Sequence, residues 1–454
     1  MTIKLTFLGG VETVTGSKYL LETEGLRVLV DCGLFQGYKQ LRLRNWAPLP
    51  VDPAKVDLVV LTHAHLDHSG YLPLLVKNGF KGPVVCTAGT RDLCAILLPD
   101  SGFLQEKDAE FANRHGFSKH HPALPLYTQK EAEDSLESIV PVDFNKEFDF
   151  QGKLKVRFQF AGHILGAAIV KMVLNDRTIV FSGDLGRYKD ATMLDPVPIS
   201  QADYLLVEST YGNRHHDTQD PENVLADAIN RTANRGGTVL IPSFAVGRAQ
   251  SLLFHLHRLK AEQRIPDLPI FLDSPMAVKA TETFRKHLGD HRLTADECDW
   301  SRNTAHYVQS VEESKELDWN RMPKVIISAS GMATGGRVLH HLKHYAPDHR
   351  NMILFAGYQA GGTRGAAITA GAKSVKIHGA QVQIRAEVDN LHMLSAHADS
   401  DEIMRWLGEL DHAPQMTFIT HGEPDAADAL RHRVESEYGW ECSVPYYREE
   451  VILT

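Results

Sequence analysis

The sequence predicts an α/β protein in which one domain is interrupted by a second, and three observations carry this reading. Residues 1–210 alternate short β-branched runs with turn signals: IKLTFLGG, RVLVDCG, DLVVLTHAH, KVRFQFAGH, RTIVFSGD and DYLLVEST. Beyond Tyr211 the rhythm changes to regular strand–helix units, with a helical stretch after each of TVLIPS, LPIFLDS, KVIISAS and NMILFAGY. Such alternation predicts a mainly parallel sheet with helices on both faces. From about residue 366 the first style returns with VQIRAEV, MTFIT and a helix from Pro424. The expected division is residues 1–210, an insertion over 211–365, and a return over 366–454.

Taken in order, the opening run IKLTFLGG reads as a strand, because it lacks the basic start and long apolar core of a signal peptide. Residues 72–79 and 90–115 have the length and apolar spacing of helices set between strands. In the insertion, a helix begins near Val246 after TVLIPS. Each buried run of the first part ends in a polar or charged residue, so strand ends carry the chemistry. No low-complexity segment, repeat or Pro/Ser-rich linker separates the parts.

Composition narrows the class. Among 454 residues, 43% are apolar and 23% charged, which excludes a disordered chain, a collagen-like fibre and a small disulfide scaffold. No apolar run approaches the roughly 18 residues of a membrane span, so no membrane partner is expected. The five cysteines (Cys32, Cys86, Cys94, Cys298, Cys442) are scattered and form no CxxC pair. Neither a disulfide framework nor a thiolate zinc site follows from them, and a cytoplasmic protein is expected. Histidine is unusually frequent, with 24 copies. The net charge of −9 is uneven: residues 211–365 carry +2 and the rest −11. Surplus carboxylate outside a near-neutral middle fits a metal site in one domain and an anionic ligand held by the other.

The densest signal is Leu61-Thr62-His63-Ala64-His65-Leu66-Asp67-His68. His63 and His65 are two apart, so an extended segment turns them the same way, and Asp67 and His68 can aim from a tight turn at a second point. One ion can take the first pair and another the second. Zinc favours such nitrogen and carboxylate donors, and catalytic sites leave a position open for water. His163 after Gly162 and Asp184 after Gly183 end two further strands; His163 would complete the first ion, and Asp184 has two oxygens to bridge both. Alone, each could be a cap or turn residue. Asp31, ending RVLVD, reads as a carboxylate that holds a ligand histidine and is counted among the catalytic residues. His397, His421 and Glu208, judged by their neighbours alone, could equally be structural.

These motifs resemble the metallo-β-lactamase superfamily. Glu208 in VEST, His397 in SAHAD and His421 in ITHGE match its β-CASP branch of nucleic-acid-processing nucleases, over about residues 3–450. The resemblance implies an αββα sandwich interrupted by an inserted β-CASP domain with a mainly parallel sheet. It implies one zinc on His63, His65, His163 and Asp184, and a second on Asp67, His68, Asp184 and His421. It places His397 as a general acid with Glu208 as its carboxylate partner. A histidine at the third late motif is the pattern of the RNA-directed branch. Some relatives carry an N-terminal KH-type extension or a further C-terminal domain; this sequence opens at the first strand and runs 33 residues past His421.

Two glycine-rich stretches of the insertion read as phosphate cradles between a strand and a helix. The first runs from Ser328 through Ser330, Gly331, Gly335 and Gly336 to Arg337; the second runs from Gly357 to Gly365 and contains Arg364. Ordinary tight turns are the other reading. Ser243-Phe244 to Arg248 is a weaker third candidate, and Phe244 and Tyr358 are candidates to stack on bases. The expected function is a zinc-dependent ribonuclease with two Zn²⁺ per chain. It would hydrolyse phosphodiester bonds by a two-metal hydroxide mechanism and leave 5′-phosphate and 3′-hydroxyl ends. Substrate would enter where the metals of one domain meet the cradles of the other. The expected partner is RNA, with a homodimer as an open option. The alternatives are a small-molecule metallo-hydrolase acting on a thioester or lactam, and an RNA-binding module with a dead site.

Overall fold

Runs that are apolar at nearly every position belong to strands covered on both faces, and the computed structural model, which describes residues 2–116 and 118–454, shows why. A first seven-stranded sheet has the order Glu450–Leu453, Ile3–Gly9, Lys18–Thr23, Leu26–Val30, Leu58–Val60, Val84–Cys86, Ile139–Pro141. It is antiparallel as far as Leu26–Val30 and parallel beyond. A second seven-stranded sheet has the order Cys442–Ser443, Met416–Thr420, Tyr204–Glu208, Arg177–Phe181, Ala168–Leu174, Leu154–Phe160, Glu147–Phe150.

Alternate residues of both sheets share one core. Phe7, Val28 and Val60 meet Val156, Val170, Phe181 and Phe418 there. Phe7 packs on Phe418 with ring centroids 5.2 Å apart, and Tyr19 on Phe181 at 5.9 Å. The intervening residues, such as Leu29 and Val59 of one sheet and Leu205 and Ile419 of the other, are buried as well. Helices lie against these sheets, Ala88–His115 at Ile139–Pro141 and Pro424–Tyr438 at Met416–Thr420. The result is the expected helix–sheet–sheet–helix sandwich. Among the described residues, no helix is long and apolar enough to cross a membrane.

The chain divides into two units, residues 1–215 with 397–454, and residues 216–396. The second unit holds a wholly parallel six-stranded sheet, ordered His306–Tyr307, Ile270–Asp273, Lys324–Ser328, Thr238–Pro242, Met352–Phe355, Glu387–Asn390. Val239, Ile241, Val325 and Ile327 pack to one side with the helices Pro221–Asn234 and Arg248–Ala261. Leu240, Ile326 and Ile353 pack to the other with Val338–Tyr345. Residues 366–396, read from sequence as the start of the return, lie in this second unit. The run VQIRAEV breaks into two strands, Ala380–Gln383 in a hairpin with Ser374–Ile377, and Glu387–Asn390 paired in parallel with Met352–Phe355. β propensity announced the strands but not their partner.

A buried charge network closes the end of Ile270–Asp273. Asp273 is wholly buried and accepts hydrogen bonds from His341 Nε2 and Arg337 Nη1, each at 2.6 Å. His341 Nδ1 donates to Asp318 Oδ1 at 2.8 Å. Burial would raise the pKa of Asp273, but bonds from His341, Ser314 and Arg337 hold it below the ordinary 3.8. Burial would lower that of His341, but its two carboxylates raise it above 6.5. Folding therefore favours both charged forms. The Asp273 contribution is complete above pH 3.8 and is lost as pH falls through the lower folded value. The His341 contribution is complete below pH 6.5 and is lost as pH rises through the higher one. His341→Gln is accordingly expected to flatten the alkaline decline of urea midpoints relative to the wild type. An alkaline limb of unchanged size would assign that decline to other groups.

Candidate metal centre

The ends of parallel-running strands in the first unit bring the sequence-selected side chains together. Leu58–Val60 leads into His63 and His65, and Asp67 and His68 sit on the single turn Leu66–Ser69. Leu154–Phe160 leads to His163, Arg177–Phe181 to Asp184, and Met416–Thr420 to His421; Glu208 is the last residue of its strand. Gly162, at φ 77°, allows the chain to turn there, since a Cβ would lie 2.4 Å from Leu194 O.

Asp184 stands at the middle. Its Oδ2 lies 3.5 Å from His63 Nε2 and 3.6 Å from His163 Nε2. Its Oδ1 lies 3.2 Å from His68 Nε2 and 3.5 Å from His421 Nε2. His65 Nδ1 completes the first cluster at 3.2 Å from both His63 and His163, and Asp67 Oδ2 approaches His421 Nε2 at 3.9 Å in the second. Two candidate ligand sets, His63–His65–His163–Asp184 and Asp67–His68–His421, thus face the two oxygens of one carboxylate. The donors suit a cation: His68 Nε2 and Asp184 Oδ1 are buried side by side yet form no acceptable hydrogen bond. Such atoms are costly unless something else satisfies them. Against burial, Asp184 and Asp31 raise His68 well above the ordinary histidine pKa, while burial, helped by the neighbouring His68, holds His63 well below it and takes His421 down to about 3. Neutral imidazole is the form that ligates a metal.

The surrounding residues aim these rings. Asp31, at φ 58°, accepts from His68 Nδ1 at 2.7 Å and from Thr62 N at 2.8 Å, which turns His68 Nε2 to Asp184. Ser17 does the same for the other ring, its Oγ lying 2.9 Å from His421 Nδ1 while its N–H donates to Asp67 O. Lys18, wholly buried with its pKa lowered by burial to about 8, donates to Gly16 O and Gly33 O and so braces the same backbone. Sequence reading missed Ser17, Thr62 and Lys18; a hydroxyl 404 positions from the ring it holds leaves no local signal.

His397 Nδ1 donates to Glu208 Oε1 at 3.1 Å and stands 3.9 Å from Asp184 Oδ2. Glu208 is fixed by Leu185 N at 2.7 Å and Thr210 N at 3.2 Å. Burial would lower the pKa of His397, but Glu208, then Asp184 and Asp67, raise it above the ordinary value.

Three family descriptions match successive stretches: the metallo-beta-lactamase superfamily over residues 13–229, the Beta-Casp domain over 249–368, and the Zn-dependent metallo-hydrolase RNA specificity domain over 381–445. A ribonuclease of Thermus thermophilus is 37% identical over 444 residues, covering 94% of this chain and 95% of its own length. The chain belongs to the β-CASP ribonuclease family of the metallo-β-lactamase superfamily. It is a hydrolase of nuclease type. The family also includes relatives named transcription termination factor FttA, and that of Methanocaldococcus jannaschii is 31% identical over 94% of this chain and 69% of its own. A crystal structure of a protein of unknown function from Enterococcus faecalis V583 shares the fold, with TM-score 0.53, 14% identity and full coverage of both chains.

The expected phosphate cradles of the β-CASP unit are built differently from their sequence reading. Ser328 is wholly buried, and its Oγ donates to Asp273 O. Ser330 Oγ bonds within its own loop, to Thr334. Gly331 is pressed against the Phe244 ring, where a Cβ would come within 2.6 Å, and Gly336 adopts φ 78°. Both have structural reasons to be glycine, and the half-buried Phe244 ring packs against Gly331; beside Gly335 a Cβ would meet nothing within 4 Å. Arg337 spends its guanidinium on Asp273, Val308 O and Gln309 O. Arg364 donates to Lys376 O, Ala333 O and Thr334 O. Both arginines brace loops here, which their place beside glycines did not reveal.

Proposed function

We propose that this chain is a zinc-dependent ribonuclease that hydrolyses RNA phosphodiester bonds with two metal ions, leaving 5′-phosphate and 3′-hydroxyl ends. The observation that carries the reading is the division of Asp184, one oxygen toward His63 and His163 and the other toward His68 and His421, beside the His397–Glu208 pair. When bound, two zinc ions would acidify a water toward hydroxide and neutralise charge on the phosphoryl oxygens. His63, His65, His163 and Asp184 would hold one ion; Asp67, His68, His421 and Asp184 the other. Asp31 and Ser17 set the rings of His68 and His421 through their Nδ1 atoms. His397, with Nδ1 committed to Glu208, presents Nε2 to protonate the departing 3′-oxygen.

The name of the Thermus relative supports RNA as substrate over a thioester or lactam. The test is to incubate purified protein with end-labelled RNA and DNA and to read the product ends. Cleavage of RNA to 3′-hydroxyl ends is expected; 2′,3′-cyclic phosphate ends would remove the hydroxide mechanism.

Ser17→Ala is expected to fold normally yet weaken the hold on one ion by about 10–100-fold, the usual cost of removing a residue that orients a ligand. Competition with a chelator, read as zinc retained per chain, measures this. Retention of both ions at wild-type affinity would make Ser17 a turn residue only.

A further inference from the structure

Within the second unit, the hairpin of Ser374–Ile377 and Ala380–Gln383 turns at His378 and Gly379. Its period-two pattern separates two faces. Val375, Ile377 and Val382 are buried in the core beneath Val338–Tyr345. Lys376, Gln381 and Gln383 are exposed, as are Lys373, His378 and Arg385 around them. No acidic residue occurs from 371 to 386. The neighbouring helix adds exposed Lys343 and His340, whose ring lies 4.8 Å from that of His378. Burial first, and then His340, Lys343 and Arg364, lower the His378 pKa, so positive groups converge on this spot.

Like charges gathered without compensation repel one another, and five other cations of the unit are compensated. Arg231, Arg235, Arg258, Lys260 and Arg264 each meet a carboxylate. Among the described residues, Lys343, Lys373, Lys376 and Arg385 meet none. Asp318, the carboxylate closest in effect to His340, is already bonded to His341. Arg364 ties this surface to the glycine-rich loop, donating from Nε to Lys376 O and from Nη1 to Ala333 O and Thr334 O.

We infer that the exposed face of this hairpin, with Lys343 beside it, is a docking surface for the phosphate backbone of single-stranded RNA, contacted without regard to sequence. The inference rests on the ribonuclease reading for the identity of its polyanion. Uncompensated flexible lysines and glutamines on a ribbon with a packed underside suit phosphate and sugar contacts, which position a strand rather than read it. A ligand occupying only the metal centre would not need them.

The variant Lys343→Gln/Lys373→Gln/Lys376→Gln removes three charges outside the catalytic and metal-binding residues. The zinc-loaded full chain is compared with wild type by anisotropy of a fluorescein-labelled phosphorothioate RNA over a series of salt concentrations. The slope of log affinity against log salt is expected to shrink by about 2, and affinity at low salt to fall about tenfold or more. Hydrolysis of bis(p-nitrophenyl) phosphate, which reaches the metals alone, should be unchanged, and so should zinc content and melting temperature. An unchanged RNA affinity and salt slope would overturn the hairpin surface while leaving the ribonuclease reading intact. Conversely, a wild type that binds RNA with the hairpin-dependent slope but cuts only the small diester would remove the ribonuclease reading and keep the surface. Equal losses on RNA and the small diester would mean that the substitutions disturb the metal centre, and the surface would be withdrawn.

Discussion

Asp184→Ala should lose more metal than any single histidine change and slow RNA cleavage by about 10³-fold or more. The other ligands belong to one cluster each, whereas the two oxygens of Asp184 face both. Removing it takes a donor from each ion and the one negative charge placed between them. The Lewis-acid share of metal catalysis is several kcal/mol, which converts to about three decades of rate. Elemental analysis should find two zinc ions per wild-type chain and fewer than one in the variant. A variant that keeps both ions would show that a different residue bridges, and one ion or none in reconstituted wild type would dissolve the paired assignment itself.

His397→Ala is expected to keep both ions, bind RNA normally and cut about 10²–10⁴-fold more slowly. The departing 3′-oxygen is a basic alkoxide that needs a proton as its bond breaks. His397 can give one because Glu208 overcomes the effect of burial and favours the protonated ring. A substrate with sulfur in place of the bridging 3′-oxygen leaves without a proton, so the variant should recover most of its lost rate there. Repeating the measurement with manganese controls for zinc–sulfur contacts. If oxygen and sulfur substrates suffer equally, His397 is not the acid; if zinc is lost, His397 is a ligand and the two sets must be redrawn.

How legible all this was depended on whether the physics was local. His63, His65, Asp67 and His68 could be seen as a set because they lie within one turn of chain at a strand end. Asp184 and His163 stood out by their preceding glycines. His397, His421 and Glu208 became readable only through resemblance, since each sits among small residues with its partner far away in sequence. Ser17 left no trace at all, because serine is common and the ring it holds lies 404 positions on. The partner of Arg337 was not legible: proximity to glycines says nothing about where a guanidinium points, and Asp273, 64 residues earlier, bonds it. Likewise, strand propensity foretold Glu387–Asn390 but not its pairing with Met352–Phe355, which extends the second unit past residue 366.

The division of the first unit in the chain has a consequence for its birth on the ribosome. His421 and the strands Met416–Thr420 and Glu450–Leu453, which flank Tyr204–Glu208 and Ile3–Gly9, are translated only after residues 216–396. At about 5–20 residues per second, that interval lasts roughly 10–40 s. During it, the nascent chain holds His63, His65, His163 and Asp184 but lacks His421. It also exposes two open sheet edges, the kind of surface that recruits stray strands. The second unit, contiguous in sequence, can fold in the meantime. If His421 holds the second ion as proposed, that site is completed only after residues 216–396 have been made.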